Sequence, residues 1–125
     1  MKKIALLITA FMVGTAAMAQ TSTDDVVKFN TEKHDFGKIK QGKPVVYYFE
    51  INNVGDKPLV VENVSSPCGC TVPEKPQKPI MPGKKDKIKV EYNAAAVGPF
   101  TKDLTVKFAG INQPKIVSIT GEVVQ

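Results

Sequence analysis

Apolar and polar residues alternate one by one through much of the chain beyond residue 25. Ile88, Val90 and Tyr92 share one phase, and Lys87, Lys89 and Glu91 take the other. That is the pattern of a strand with one face buried and one in water. Leu104, Val106 and Phe108 repeat it against Asp103, Thr105 and Lys107. Val117, Ile119 and Val123 mark the inward face of a last strand over Ile116 to Val124. Val45 to Asn52 is the most β-prone run, with Tyr47, Phe49 and Ile51 on one side. Val26 to Phe29, Asp35 to Gly37 and Leu59 to Val64 are shorter candidates. Turn signals separate them at Gln41-Gly42, Asn53-Val54-Gly55-Asp56, Pro82-Gly83 and over Ala94 to Pro99, where Gly, Asn and Asp tolerate the needed backbone angles. Ser66 to Pro82 reads as a loop, because it holds Pro67, Pro73, Pro76, Pro79 and Pro82 and proline is excluded from a central ladder. No stretch beyond residue 25 carries a helical apolar period over roughly ten positions. About seven short strands predict an all-β, immunoglobulin-like antiparallel sandwich, with an open barrel as the alternative.

The first residues follow another logic. Lys2 and Lys3 precede an apolar stretch from Ile4 to Val13, and Ala17-Met18-Ala19 supplies small residues around a cleavage point. This predicts a signal peptide over 1–19, cleaved before Gln20. The apolar stretch is about half of the roughly 20 residues a spanning helix needs, so no membrane span is expected after cleavage. Residues 20–25 are expected to be a flexible polar segment, and 26–125 the β-sandwich domain. The protein is therefore expected to be exported, to the periplasm or the extracellular space.

Removing Lys2 and Lys3 takes the formal charge from +5 to +3. Every basic residue is lysine and none is arginine. Arginine is the favoured group for bidentate recognition of phosphates and base edges, so a nucleic-acid partner is not expected. Lys84, Lys85, Lys87 and Lys89 lie in one strand and read as a solvated edge that discourages sheet-to-sheet aggregation; the other reading is a patch for an acidic partner. Asn63-Val64-Ser65 has the form of a glycosylation acceptor, but it falls in a strand of a bacterial-type chain and reads as coincidence.

Several motifs follow one another in a set order: Asp35-Phe36-Gly37-Lys38-Ile39, Asn52-Asn53-Val54-Gly55, Ser66-Pro67-Cys68-Gly69-Cys70-Thr71, Pro79-Ile80-Met81-Pro82-Gly83, Gly98-Pro99-Phe100 and Thr120-Gly121-Glu122-Val123. This order resembles the bacterial family called domain of unknown function 1573, itself distantly similar to Hydin-type and major-sperm-protein-like domains. The resemblance runs from about Phe29 to Val124. It implies an immunoglobulin-like sandwich in an exported protein and carries no activity with it. Gly37, Gly55 and Gly83 are expected to supply tight-turn geometry, and Phe36 to plug one end of the sandwich.

Cys68-Gly69-Cys70 is the one constellation with chemistry, and four readings of it stay open. Two peptide units place the Cα atoms about 5.5–7 Å apart, which overlaps the disulfide range at its upper part. Gly69 would let the chain bend to close a tight, easily reduced ring. Alternatively, two thiols pack as small buried groups. A third reading is a soft-metal site for copper or zinc, with His34 and Met81 as the other candidate ligands. The fourth is redox or nucleophilic catalysis, which lacks the usual Cys-x-x-Cys at a helix N-terminus. His34 is the single histidine and reads as a surface residue. No catalytic triad or phosphate loop is present in the sequence, and no enzyme is expected. The function expected is a non-enzymatic interaction or structural module of the cell envelope, with a protein partner meeting the proline-rich segment or the sheet edge beside it. The alternative is a soft-metal or thiol-redox protein using Cys68 and Cys70. Nothing in the sequence fixes the oligomeric state.

Overall fold

The alternating runs become strands whose inward phase is buried to completion. The computed structural model describes residue 14 and residues 22–125; the expected signal peptide over 1–19 lies outside the described residues, apart from Gly14. One turn of helix, α1 (Thr23–Val26), precedes eight strands: β1 (Val27–Phe29), β2 (Lys33–Lys40), β3 (Val45–Asn53), β4 (Val61–Ser65), β5 (Thr71–Glu74), β6 (Lys85–Tyr92), β7 (Gly98–Phe108) and β8 (Lys115–Val124). They form two four-stranded sheets, in the orders β1-β3-β6-β5 and β2-β8-β7-β4. The inward residues of both sheets build one core. Phe49, Ile51, Ile88 and Val90 face it from the first sheet, and Leu104, Val106, Phe108, Val117 and Ile119 from the second, all fully buried. Each such side chain contributes about 1.5–3 kcal/mol on leaving water.

Three features depart from the expected pattern. The loop expected over Ser66 to Pro82 contains an extra strand, β5, paired with β6. Pro73 is tolerated because β5 is a sheet edge. In antiparallel pairs the bonded and non-bonded positions alternate, and Asn93 N–H donates to the Cys70 carbonyl (3.0 Å). Pro73, three residues on, thus falls at a non-bonded position, where its missing N–H points away from β6. Second, β6 is an interior strand between β3 and β5, so its lysines guard no edge. Third, the sheets are not antiparallel throughout: β2 runs parallel to β8, with a register shift between Asp35 and Lys38.

The expected flexible segment over 20–25 is anchored in its second half. Thr23 is buried, its hydroxyl donating to the Gln113 carbonyl. Lys115 pairs with both Asp24 (2.7 Å) and Glu32. The hydrogen bond from Lys115 holds the Asp24 carboxyl below the usual carboxylate range, and the bonds to Asp24 and Glu32 raise the Lys115 ammonium. A carboxyl whose pKa is lowered contributes above its undocked value and loses that contribution as pH falls through the docked one. A raised lysine contributes below its undocked value and loses it as pH rises through the docked one. The turn is therefore expected to stay docked across the neutral range and loosen at both extremes. The Thr23 methyl resonance, followed against pH, should move in both limbs, and Lys115→Met, which removes the partner of both carboxylates, should abolish both.

Candidate functional site

Local hydrogen bonding shapes the turn between β4 and β5 around the two cysteines. The Ser66 hydroxyl donates to the Cys68 carbonyl (3.0 Å). The Thr71 N–H reaches the same carbonyl (3.4 Å). Cys68 and Cys70 are joined as a disulfide, with their Cα atoms 5.3 Å apart. Cys70 packs partly against the core, and Thr71 beside it is buried. The bridge closes a ring of only three residues, so loop-closure entropy gives it about 1.5 kcal/mol of stabilisation at most. Its effect is to set the direction in which the chain enters β5.

The other two candidate ligands are placed far from this turn. Met81 precedes β6 and is exposed, whereas Cys70 bonds to Asn93, just past the strand's other end; an eight-residue strand separates them by about 24 Å. His34 is on β2, and Cys68 follows β4. These are opposite edges of one sheet, about 14 Å apart. Among the described residues no three His, Cys, Asp or Glu side chains gather in a metal-binding group. His34 is also no plain surface residue. Its ring stacks on Tyr47 (3.7 Å between centroids, 8° between planes) and meets Phe36 edge-on (4.7 Å). β1 pairs only with Ile51 to Asn53 of β3, so His34 and Phe36 cover the stretch around Tyr47 that β1 leaves open. Phe36 thus closes a side of the sandwich, not its end.

Gly37 and Gly83 take positive φ, +69° and +77°, which glycine allows; Gly83 does so in the turn before β6, but Gly37 at the register shift within β2 and not in a turn. Gly55 is needed for space instead: a Cβ there would lie 3.0 Å from Val26 Cγ1. Gly69 has open space around it. Asn53, beside Gly55, is the polar hub of this end of the molecule. It is buried, its amide donates to the carbonyls of Lys57 and Ile80 (2.8 Å each), and its oxygen accepts from Gly55 N–H (3.0 Å).

The proline-rich segment borders a surface the sequence did not single out. On the outer face of the first sheet, Val46, Tyr48 and Val72 are 40, 50 and 57 % exposed. Register places Val46 and Val72 on either side of Glu91, and Tyr48 and Glu74 on either side of Lys89. A cleft of about 520 Å³ opens there, lined by Tyr48, Glu74, Pro76, Lys78, Lys87 and Lys89 among others. One signal was available: Val45 to Phe49 is apolar on both phases of its strand, so some apolar side chains had to face outward.

The β5 edge itself is closed to a partner strand. Pro73 lacks an outward N–H, the Thr71 N–H is taken by Cys68, and Lys75 Nζ ties this side to the Glu62 carbonyl of β4 (2.7 Å). The side-chain face beside the edge is what remains available.

Two sheets of four strands packed on one core, with parallel pairing of an early and the last strand, define an immunoglobulin-like sandwich of the PapD and major-sperm-protein kind. Residues 27–123 match the family described as protein of unknown function (DUF1573), and the chain belongs to that family. No curated protein matches it. Among solved structures it is similar to a protein of unknown function from Porphyromonas gingivalis W83, at 16 % identity and a TM-score of 0.67, over 78 % of this chain and 46 % of that one. The chain thus spans under half of that protein's length. It is also similar to the ASH/PapD-like domain 7 of human CEP192, at 10 % identity and a TM-score of 0.70, over 90 % of this chain and 96 % of that one. A third likeness is WR4, a C. elegans MSP family member, at 6 % identity and a TM-score of 0.52, over 80 % and 99 % of the two chains. At these identities the likeness is one of fold.

Proposed function

We propose that this chain is an exported, non-enzymatic protein-interaction module of the cell envelope, and that it meets its partner with the outer face of the β1-β3-β6-β5 sheet. The observation that carries this reading is the exposure of Tyr48, Val46 and Val72 together on that face, beside the cleft under the proline-rich segment. Exposed aromatic and aliphatic groups within a charged surround are what protein interfaces use as anchors.

A photo-cross-linking residue at Tyr48 or Val72, in the chain expressed in bacterial cells of its source, tests this. The expected result is a discrete protein adduct in the envelope fraction from both positions, and none from Thr101 on the opposite sheet. The Cys68→Ser/Cys70→Ser variant should keep the fold and the adduct. Equal labelling from all three positions would remove the interaction face. An adduct lost in the serine variant while the fold persists would move the function to the thiols.

A further inference from the structure

Lysine is a poor strand former, yet Lys85, Lys87 and Lys89 follow one another on the outward phase of an interior strand. Edge protection does not account for them there. Lys85 is partnered by Glu50 (3.4 Å). Among the described residues, Lys87, Lys89 and Lys78 make no ion pair. Lys87 Nζ sits 5.7 Å from the centre of the Tyr48 ring. The neighbouring acid Asp86 is occupied locally, accepting from the Lys87 N–H (2.8 Å). Four lysines and two carboxylates, Glu74 and Asp86, line the cleft described above together with Tyr48 and Pro76, so its lysines outnumber its carboxylates.

We propose that this cleft receives an extended acidic segment of the partner protein, with Lys78, Lys87 and Lys89 taking its carboxylates and Tyr48 its aliphatic portion; this rests on the interaction reading above. Four properties point to such an occupant. Lys87 and Lys89 are two residues apart on one strand face, about 7 Å, the same repeat as alternate side chains of an extended peptide. The cleft is open to solvent over much of its surface, which suits a segment laid across it and not a small ligand enclosed by protein. Its cations are ammonium groups, compact point charges on flexible stems that can follow the carboxylates of an extended segment without a fixed bidentate geometry. The aromatic ring among them gives the contact an apolar centre that a purely ionic site would lack.

The test is titration of the folded, isotopically labelled protein with a synthetic peptide of alternating glutamate and valine. Its expected signature is movement of the amides of Tyr48, Gln77, Lys87 and Lys89, with affinity falling as salt rises. Lys87→Glu/Lys89→Glu should weaken binding by at least about tenfold, while Lys33→Glu/Lys38→Glu, which reverses the same charge on β2, should leave it unchanged. The amide spectrum of each variant reports its fold directly. Equal weakening by both variants would overturn the proposal. So would saturation of the same amides by inorganic phosphate or phosphatidylglycerol vesicles in preference to the peptide. If the Tyr48 cross-link in cells survives Lys87→Glu/Lys89→Glu, the interaction face stands and the acidic occupant falls.

Discussion

Asn53→Ala is expected to lower the stability of the domain by about 3 kcal/mol, a fall in melting temperature of roughly 12–24 °C for a domain this size. The residue sits at the end of β3, where the chain turns out of the first sheet. Its backbone N–H donates to the Lys84 carbonyl (3.0 Å), and its carbonyl accepts from Gly83 N–H (2.9 Å). Its side chain then holds Lys57 and Gly55 on one side and Ile80 on the other. One buried amide thus ties the β3–β4 turn to the chain that leads into β6. Removing it leaves the Ile80 carbonyl with its Leu59 partner only and opens a gap in the core wall. Asn53→Asp should cost more, although it keeps the shape. A carboxylate has no hydrogen to offer two carbonyls, and it would bring a charge into a buried site. Asn52, one residue earlier and on the outward phase, is the control: alanine there should change stability by no more than about 0.5 kcal/mol. Thermal and urea unfolding of the three variants decides it. An Asn53→Ala protein that melts within a few degrees of the parent would mean that the hub is dispensable. The same variant bears on the binding face, because the segment over 79–84 that Asn53 anchors carries the chain from the cleft wall into β6.

How far this arrangement can be read in the sequence depends on what kind of information each part needs. The inward phases of β6, β7 and β8 are legible because those strands alternate cleanly, and burial of Ile88, Val90, Leu104, Val106, Val117 and Ile119 follows. β5 is not legible, because whether Pro73 breaks a strand depends on its being at an edge, and edge position belongs to sheet order. The lysines of β6 fail for the same reason in reverse: an alternating lysine run looks alike on an edge and in the interior. The parallel pairing of β2 with β8 joins residues some 85 positions apart, beyond any local signal. Asn53 reads as a turn residue from its neighbours Gly55 and Asp56, and its burial comes only from the later segment folding over it. The cysteine pair is legible as chemistry, while its oxidised state and its distance from His34 and Met81 need the fold. The expected role as an interaction module rests on the proline-rich segment and the sheet edge, whereas the proposed face draws on Tyr48, whose outward position follows once Phe49 and Ile51 point inward.

Gly121→Ala is the second substitution with a large expected effect, about 2 kcal/mol of destabilisation. Gly121 lies in β8 where β2 shifts register and where Phe100 of β7 crosses above it. A Cβ at this position would stand 2.9 Å from the Gly37 carbonyl oxygen and 2.9 Å from both Cε1 and Cζ of Phe100. The ring could yield by a small rotation, but it stacks on Tyr92 (4.1 Å between centroids), so its movement disturbs a second strand. The carbonyl belongs to backbone held by the Gly37 N–H donating to Asp35 (2.7 Å) and has no free rotation to use. The methyl group should therefore push β2 away from β8 rather than be absorbed. Phe100→Leu removes the ring contacts and not the carbonyl contact. The double variant is then expected to lose less than the sum of the two single losses, by about 1 kcal/mol, as coupled neighbours do. Gly69→Ala, between the two cysteines, should by contrast stay within about 0.5 kcal/mol, because its added methyl meets nothing within 4 Å. Urea unfolding of the four variants separates these cases. Strict additivity of Gly121→Ala and Phe100→Leu would show that the strain is carried by the backbone alone. A Gly121→Ala protein as stable as the parent would mean that β2 and β8 can part at the bulge without loss, so that the glycine in the Thr120-Gly121-Glu122 motif is not there to let them close.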